Sequence, residues 1–283
     1  MKVSPGNASH IGRRQQQQDA FALSDFDDAE FIEHGGYLAV VADGVGGLAH
    51  GAEAADTAVS RFVADYRSKF EQQSVDSALD EALDHANHAV CDAGFYLGCP
   101  ERMGSTLLAA VIYQGQLYWR SVGDSHLYLC RDGRIGQLNA GHNFARQLQT
   151  LANEGIISQQ EADTHPERQA LEAFLGLNPL PARDRNRQPL PLQDGDVILM
   201  CTDGIYAELS DDEMMACLNQ TPMAAAQALC DVVLAKQQPH QDNLTALVLA
   251  YESKESKPVS WSGRFALYGV IGLFLLMLAE YLA

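Results

Sequence analysis

The chain has 283 residues, 47% of them hydrophobic, enough for one large domain with a sizeable core, alone or with an appendage. Its formal net charge of -18 leaves no basic stripe to neutralise phosphates, which excludes a nucleic-acid partner. Bound divalent cations would offset part of that charge, and an ordinary acidic surface would explain most of it equally well. Cysteines at 91, 99, 130, 201, 217 and 230 form no CxxC pair, and Cys130 and Cys201 fall in strand-like apolar runs. They read as reduced core residues in a reducing compartment.

The first eleven residues are polar and lack the apolar segment of a secretion signal, so the main domain is expected to stay in the cytoplasm. Gly12-Arg13-Arg14-Gln15-Gln16-Gln17-Gln18-Asp19 follows. It is either a low-complexity run or a strand entrance flanked by a guanidinium suited to phosphate and a carboxylate suited to a cation. Residues 24–36 read as a connecting loop. The run 37–43 is an apolar, β-branched strand that ends abruptly on Asp43, with Gly44, Gly46 and Gly47 close behind. Glycine lets the backbone approach a ligand and turn the Gly44 carbonyl towards the point addressed by Asp43. A hard cation would accept both oxygens, although Asp-Gly after a strand is also a common turn.

Apolar residues at helical spacing predict helices over 51–70 and 75–93. On the second, His85 and His88 lie one turn apart, where a solvated face is the simpler reading without a third ligand. Strands are predicted over 107–113, 116–122 and 126–131, the first two as a hairpin, and a helix over 144–154. Residues 155–191 carry five prolines and no clear period, which suits a disordered insertion or a functional flap. Strand-like runs end on Asp124 and on Asp203, Ser210 opens a capped helix, 222–236 forms another helix, and Asp242-Asn243 opens the strand 244–250. Four aspartates therefore stand at the ends of four core strands. They are either solvated turns at the rim of a sheet or a cluster whose repulsion two or three Mg²⁺ or Mn²⁺ ions would offset.

After a linker at 253–264, residues 265–283 are apolar all round apart from Glu280, long enough to span a bilayer core of about 30 Å. Lys254, Lys257 and Arg264 precede the run and no basic residue follows. The expectation is a single-pass anchor in the inner (cytoplasmic) membrane with residues 1–252 as a cytoplasmic catalytic domain; a terminal helix docked on the domain is the alternative.

The motifs Gly12-x-Arg14-x4-Asp19, Asp43-Gly44-Val45-Gly46-Gly47, Gly104-Ser105-Thr106, Val122-Gly123-Asp124-Ser125, Thr202-Asp203-Gly204 and Asp242-Asn243 stand in an order that resembles the metal-dependent Ser/Thr protein phosphatases of the protein phosphatase 2C family. The resemblance covers residues 8–250. It implies an α+β fold, a four-layer α-β-β-α sandwich of two antiparallel sheets flanked by helices, here followed by the hydrophobic C-terminal segment. It implies hydrolysis of phosphoserine and phosphothreonine in proteins by a hydroxide bridging two Mn²⁺ or Mg²⁺ ions. By position, Asp43 would bridge both metals, the Gly44 carbonyl would bind one, and Asp203 and Asp242 would complete the other side. Asp124, with Asp203, matches a third, weaker metal site. Arg14 matches the phosphate-binding arginine, Asp19 the carboxylate that orients metal-bound water, and Asn243 a supporting position.

Two departures stand out. Many members place glutamate before the aspartate equivalent to Asp19, where this chain has Gln18, and Val45 stands where eukaryotic relatives carry histidine. The expected partners are phosphorylated proteins, a cognate Ser/Thr kinase and the membrane. A catalytically weak phosphoprotein-binding module and a small-metabolite phosphatase are the alternatives.

Overall fold

The computed structural model describes residues 1–253. In chain order its elements are β1 (Lys2–His10), β2 (Asp19–Leu23), α1 (Ala29–Gly35), β3 (Tyr37–Asp43), α2 (Gly51–Arg67), α3 (Val75–Tyr96), β4 (Leu107–Tyr113), β5 (Gln116–Val122), β6 (His126–Arg131) and β7 (Arg134–Gln137). They continue with α4 (Phe144–Asn153), α5 (Gln159–Thr164), β8 (Asp184–Arg185), β9 (Leu190–Pro191), β10 (Val197–Cys201), α6 (Asp203–Tyr206), α7 (Asp211–Leu218), α8 (Pro222–Ala235) and β11 (Leu244–Glu252). One sheet runs β1-β11-β10-β6-β7 and the other β2-β3-β4-β5-β8, with β9 also on β5; the pairings are antiparallel.

The alternation of side chains along each strand builds the layers. From β3, Ala39 and Val41 face the other sheet and join Leu108, Ala110, Ile198, Met200, Leu247 and Leu249 in the central core. The alternate residues Leu38, Val40 and Ala42 face outward onto α2 and α3, against Phe62, Leu79 and Leu83. On the far side, Leu199, Cys201, Ala246 and Val248 pack on α7 and α8 through Met214, Leu229 and Val233. Strands covered on both faces read as unbroken apolar runs, as β3 and β4 do. The α-β-β-α order is as expected.

Three segments carry more structure than their sequence suggests, and the connecting loop expected at 24–36 needs correction. The polar first residues form β1, a full-length edge strand in register with β11 from Lys2↔Glu252 to His10↔Leu244. Only Val3 and Ala8 among its apolar side chains are buried, which hid the strand; Pro5 is tolerated because an edge strand leaves donors unpaired. Residues 24–36 contain α1, started by Asp28, whose carboxylate accepts from Phe31 N at 3.1 Å. The insertion at 155–191 is tied down, with α5 opened by a Ser158–Glu161 capping box and Asp184–Arg185 paired to β5.

The inner-membrane location is also corrected: among the described residues no helix is long and apolar enough to cross a membrane. The longest, α3 with 22 residues, carries Asp76, Asp80, Glu81, Asp84 and Asp92 and buries only one face. The hydrophobic helix expected at 265–283 lies outside the described residues.

Candidate metal centre and phosphate cleft

The aspartates converge because their strands end together. Asp43 closes β3 and sits opposite Asp19, the first residue of β2, in the antiparallel register. Asp124 follows β5, Asp203 follows β10, and Asp242 precedes β11. A cleft of ≈ 470 Å³ is lined by Asp43, Gly44, Asp124, Asp203, Asp242 and Arg14, with Gln18, Val45 and Leu171 at its walls. Six of the seven residues expected in the site thus share one cleft. Asp19 instead borders a different cavity of ≈ 600 Å³ between β2 and α2, while its carboxylate stays close enough to Asp43 and Asp203 to raise both.

Each group is fixed by the chain around it. The Asp43 amide donates to Thr106 Oγ1 at 2.9 Å, its carbonyl accepts from Thr106 N at 2.8 Å, and Thr106 Oγ1 lies 3.0 Å from Ser125 Oγ. Gly44 N donates to the Gln18 carbonyl at 3.0 Å, and a side chain at 44 would meet Gly51 O at 2.2 Å, so only glycine lets α2 start this close to the site. Asn243 pins the Arg14 loop: its Oδ1 accepts from Gln18 N at 2.8 Å, and its Nδ2 donates to the carbonyls of Ile11 at 2.9 Å and Gln16 at 3.1 Å. Gly12 is left-handed at φ 62°, and a Cβ there would fall 2.0 Å from Asp242 O. That contact brings the guanidinium over Asp242, where Arg14 Nη2 lies 2.6 Å from Oδ2.

The charges are not balanced inside the protein. Asp19 Oδ2 accepts from Thr245 Oγ1 at 2.7 Å and Thr202 Oγ1 at 2.9 Å, but its Oδ1 and Asp203 Oδ1 are buried with no hydrogen-bond donor in reach among the described residues. Burial first, and with it the neighbouring carboxylates, raises Asp19, Asp43 and Asp203 above the ordinary range. Asp203 is pushed up to about 7, Asp19 to about 6, and Asp43 well above its usual value. Burial also raises Asp124, against hydrogen bonds from Asn143 and Tyr206. Among the described residues no three His, Cys, Asp or Glu side chains form a ready-closed cage. The fit to a hard divalent cation rests on the donor set: carboxylates and a carbonyl, with two buried oxygens that nothing in the protein satisfies.

Several contributors were not singled out from sequence. Asn143 is one of them. It stands at the N-terminus of α4 without capping it; its Nδ2 instead reaches Asp124 Oδ2 at 3.4 Å. Thr245 is an unremarkable residue in a strand run. His126 and Tyr206 stack with centroids 3.6 Å apart beside Asp124 and Asp203. His85 points to solvent, 3.3 Å from Asp65 Oδ2, and His88 is exposed, so the solvated-face reading of that pair holds. Burial raises the thiols of Cys130 and Cys230 to about 12 and that of Cys201 further, so these remain protonated core groups.

A model of the protein phosphatase 2C family matches residues 7–248, and the chain belongs to that family. By class, that family is the one of metal-dependent protein phosphatases that use two Mn²⁺ or Mg²⁺ ions. The chain is 30% identical over 228 residues to the serine/threonine protein phosphatase PstP of Mycobacterium tuberculosis, covering 80% of this chain. It spans only 43% of that relative's length. The crystal structure of M. tuberculosis PstP/Ppp superposes with a TM-score of 0.73 at 26% identity, over 89% of this chain and 100% of that one. The PstP catalytic domain in complex with two manganese ions superposes at 0.69, with 25% identity over 89% of this chain and 99% of that one.

Proposed function

We propose that this chain hydrolyses phosphoserine and phosphothreonine in proteins, with Asp43, the Gly44 carbonyl, Asp203 and Asp242 holding two divalent cations and Asp124 with Asp203 holding a third, weaker one. The observation that carries the reading is the convergence of four strand-end carboxylates and Arg14 on one cleft, with Asp203 Oδ1 buried and unsatisfied. Bound there, the cations would neutralise a phosphate dianion and make a water nucleophilic near neutral pH.

The chain's own groups do the rest. Arg14, about half exposed and already paired to a carboxylate oxygen, is free to turn its fork to the non-bridging oxygens of a phosphate and to strengthen its hold as charge develops. Asp19, held by two threonine hydroxyls and opposite Asp43 in the β2–β3 register, would orient a water held by the cations. Thr106 and Ser105 fix the Asp43 backbone, so that its carboxylate is aimed before any ligand arrives. Gln18 occupies the cleft wall as a neutral group and adds no ligand charge.

The substrates are proposed as phosphorylated proteins, which makes a Ser/Thr kinase the natural counterpart; the open cleft admits a side chain presented on a polypeptide. The test is phosphate release from a phosphothreonine peptide by the full chain. Turnover should require Mn²⁺ or Mg²⁺, stop with EDTA and collapse in Asp203→Asn. Folded protein that binds Mn²⁺ but releases no phosphate would overturn the enzymatic reading.

A further inference from the structure

We propose that the stacked rings of His126 and Tyr206 are a positioning device that sets the separation of Asp124 and Asp203, and through it the affinity of the weaker cation position. The inference rests on the reading that these two carboxylates hold a cation.

Two loops carry the pair, and the stack is what joins them. His126 stands two residues after Asp124, at the first position of β6, and Tyr206 three residues after Asp203, at the last position of α6. The rings lie nearly parallel, at 13°, with centroids 3.6 Å apart. The β6–β10 ladder ends at His126↔Cys201, so its hydrogen bonds stop two residues short of Asp203. Beyond that point Asp203 sits at the start of α6, a helix of four residues, too short to hold its own position without tertiary contacts.

The surroundings make the arrangement specific. His126 Nδ1 lies 2.8 Å from the Tyr128 hydroxyl, which fixes the plane of the imidazole and hence that of the phenol stacked on it. The same phenol reaches back to the Asp124 carboxylate, whose other contact is Asn143 Nδ2 at 3.4 Å. One aromatic side chain thus touches the group next to one carboxylate while growing from the turn that carries the other. A cation shared by two carboxylates is sensitive to their spacing, and partners one step removed from the ligands commonly change affinity by about 10- to 100-fold.

Direct titration of the full chain with Mn²⁺, counting free ion by electron paramagnetic resonance, tests this. The wild type should show two tighter equivalents and a weaker one, and Asp124→Asn should remove the weaker one. Tyr206→Leu, which keeps an apolar side chain but no flat ring, should weaken that equivalent by about ten-fold or more while moving the tighter two by less than about three-fold. Tyr206→Phe keeps the stack and removes only the hydroxyl's contact with Asp124, so it should weaken that equivalent less than Tyr206→Leu does; a loss as large as that of Tyr206→Leu would assign the effect to the hydroxyl and overturn the role of the stack. His126→Gln is the independent break from the other loop and should reproduce Tyr206→Leu, which keeps the test open if either variant folds poorly. Loss of the weak equivalent in Asp124→Asn with no change in both stack-breaking variants would overturn the positioning role. An unchanged count in Asp124→Asn would overturn the cation reading on which it rests.

Discussion

Among the described residues, the charges around Arg120 and those at the strand ends are built to opposite rules. Under α3, Arg120 is fully buried in β5 and its guanidinium is satisfied: Nε donates to Asp80 Oδ1 and Nη2 to Asp76 Oδ1, both at 2.6 Å, and Nη1 to the Trp119 carbonyl at 2.8 Å. Arg185 adds a second cation 3.0 Å from Asp80 Oδ2, and these arginines hold the Asp80 carboxyl below its ordinary range despite the opposing effect of burial. At the strand ends, by contrast, Asp19, Asp43, Asp124 and Asp203 are all raised, and two of their oxygens have no donor among the described residues. Where the chain supplies the counter-charge, the cluster fastens a helix to a sheet. Where it withholds the counter-charge, the cluster is unfavourable until something from outside supplies it, as the cations of the proposed function would.

The sharpest way to break this contrast is to neutralise one member of each cluster. Asp203→Asn should reduce phosphopeptide turnover by about 10³-fold, equivalent to about 4 kcal/mol of lost transition-state stabilisation, while raising the melting temperature in EDTA at pH 7.5. Arg120→Met should do the reverse, leaving turnover per folded molecule near wild type and costing about 2–4 kcal/mol in chemical denaturation, because Asp80 loses its main partner. Comparable loss of stability in both variants would erase the distinction.

Arg14 joins the uncompensated cluster from its exposed side. Arg14→Ala should lower kcat/KM by about 10²-fold through lost phosphate contacts, and it should tighten Mn²⁺ a few-fold because Asp242 is released from its ion pair. Isothermal titration reads the second effect independently of turnover; weaker Mn²⁺ binding would show that the pair organises the site instead of competing for it.

The two clusters should also separate by pH. Asp203 and Asp19 titrate near 7 and 6 in the folded state against an ordinary 3.8, so the folded chain holds extra protons between those values. In EDTA, the stability they contribute is full below about pH 4 and is lost as pH rises through about 7. Asp80 is shifted the other way, so its contribution is present above the ordinary carboxylate range and lost on acidification. Denaturation midpoints between pH 5 and 8 in EDTA should fall with rising pH, and Asp203→Asn should flatten the slope. The smallest effect concerns Gln18, where Gln18→Glu adds a charge to the cleft wall and should tighten Mn²⁺ by a few-fold.

Much of the site was legible because its parts are local. A strand that stops on aspartate and turns on glycine is written in four or five consecutive residues, and Asp43, Asp124, Asp203 and Asp242 were found that way. The β3 and β4 strands announced themselves as unbroken apolar runs, and the two long helices by their period. What escaped had weak local signals: β1 buries few apolar side chains, and α1 hangs on a single aspartate cap.

The sequence by itself therefore determined the strand-end carboxylates, several strands and the long helices, since side-chain period and turn chemistry act over a few residues, while the layered fold was implied by the resemblance that the ordered motifs carry. Tertiary structure alone decided how those groups meet. Arg14 reaches Asp242 across 228 positions and Asp19 reaches Thr245 across 226, while His126 finds Tyr206 only because β6 and β10 pair in one register. Such contacts follow from strand order and register, which are set by the packing of whole sheets, and no short stretch of sequence carries that information.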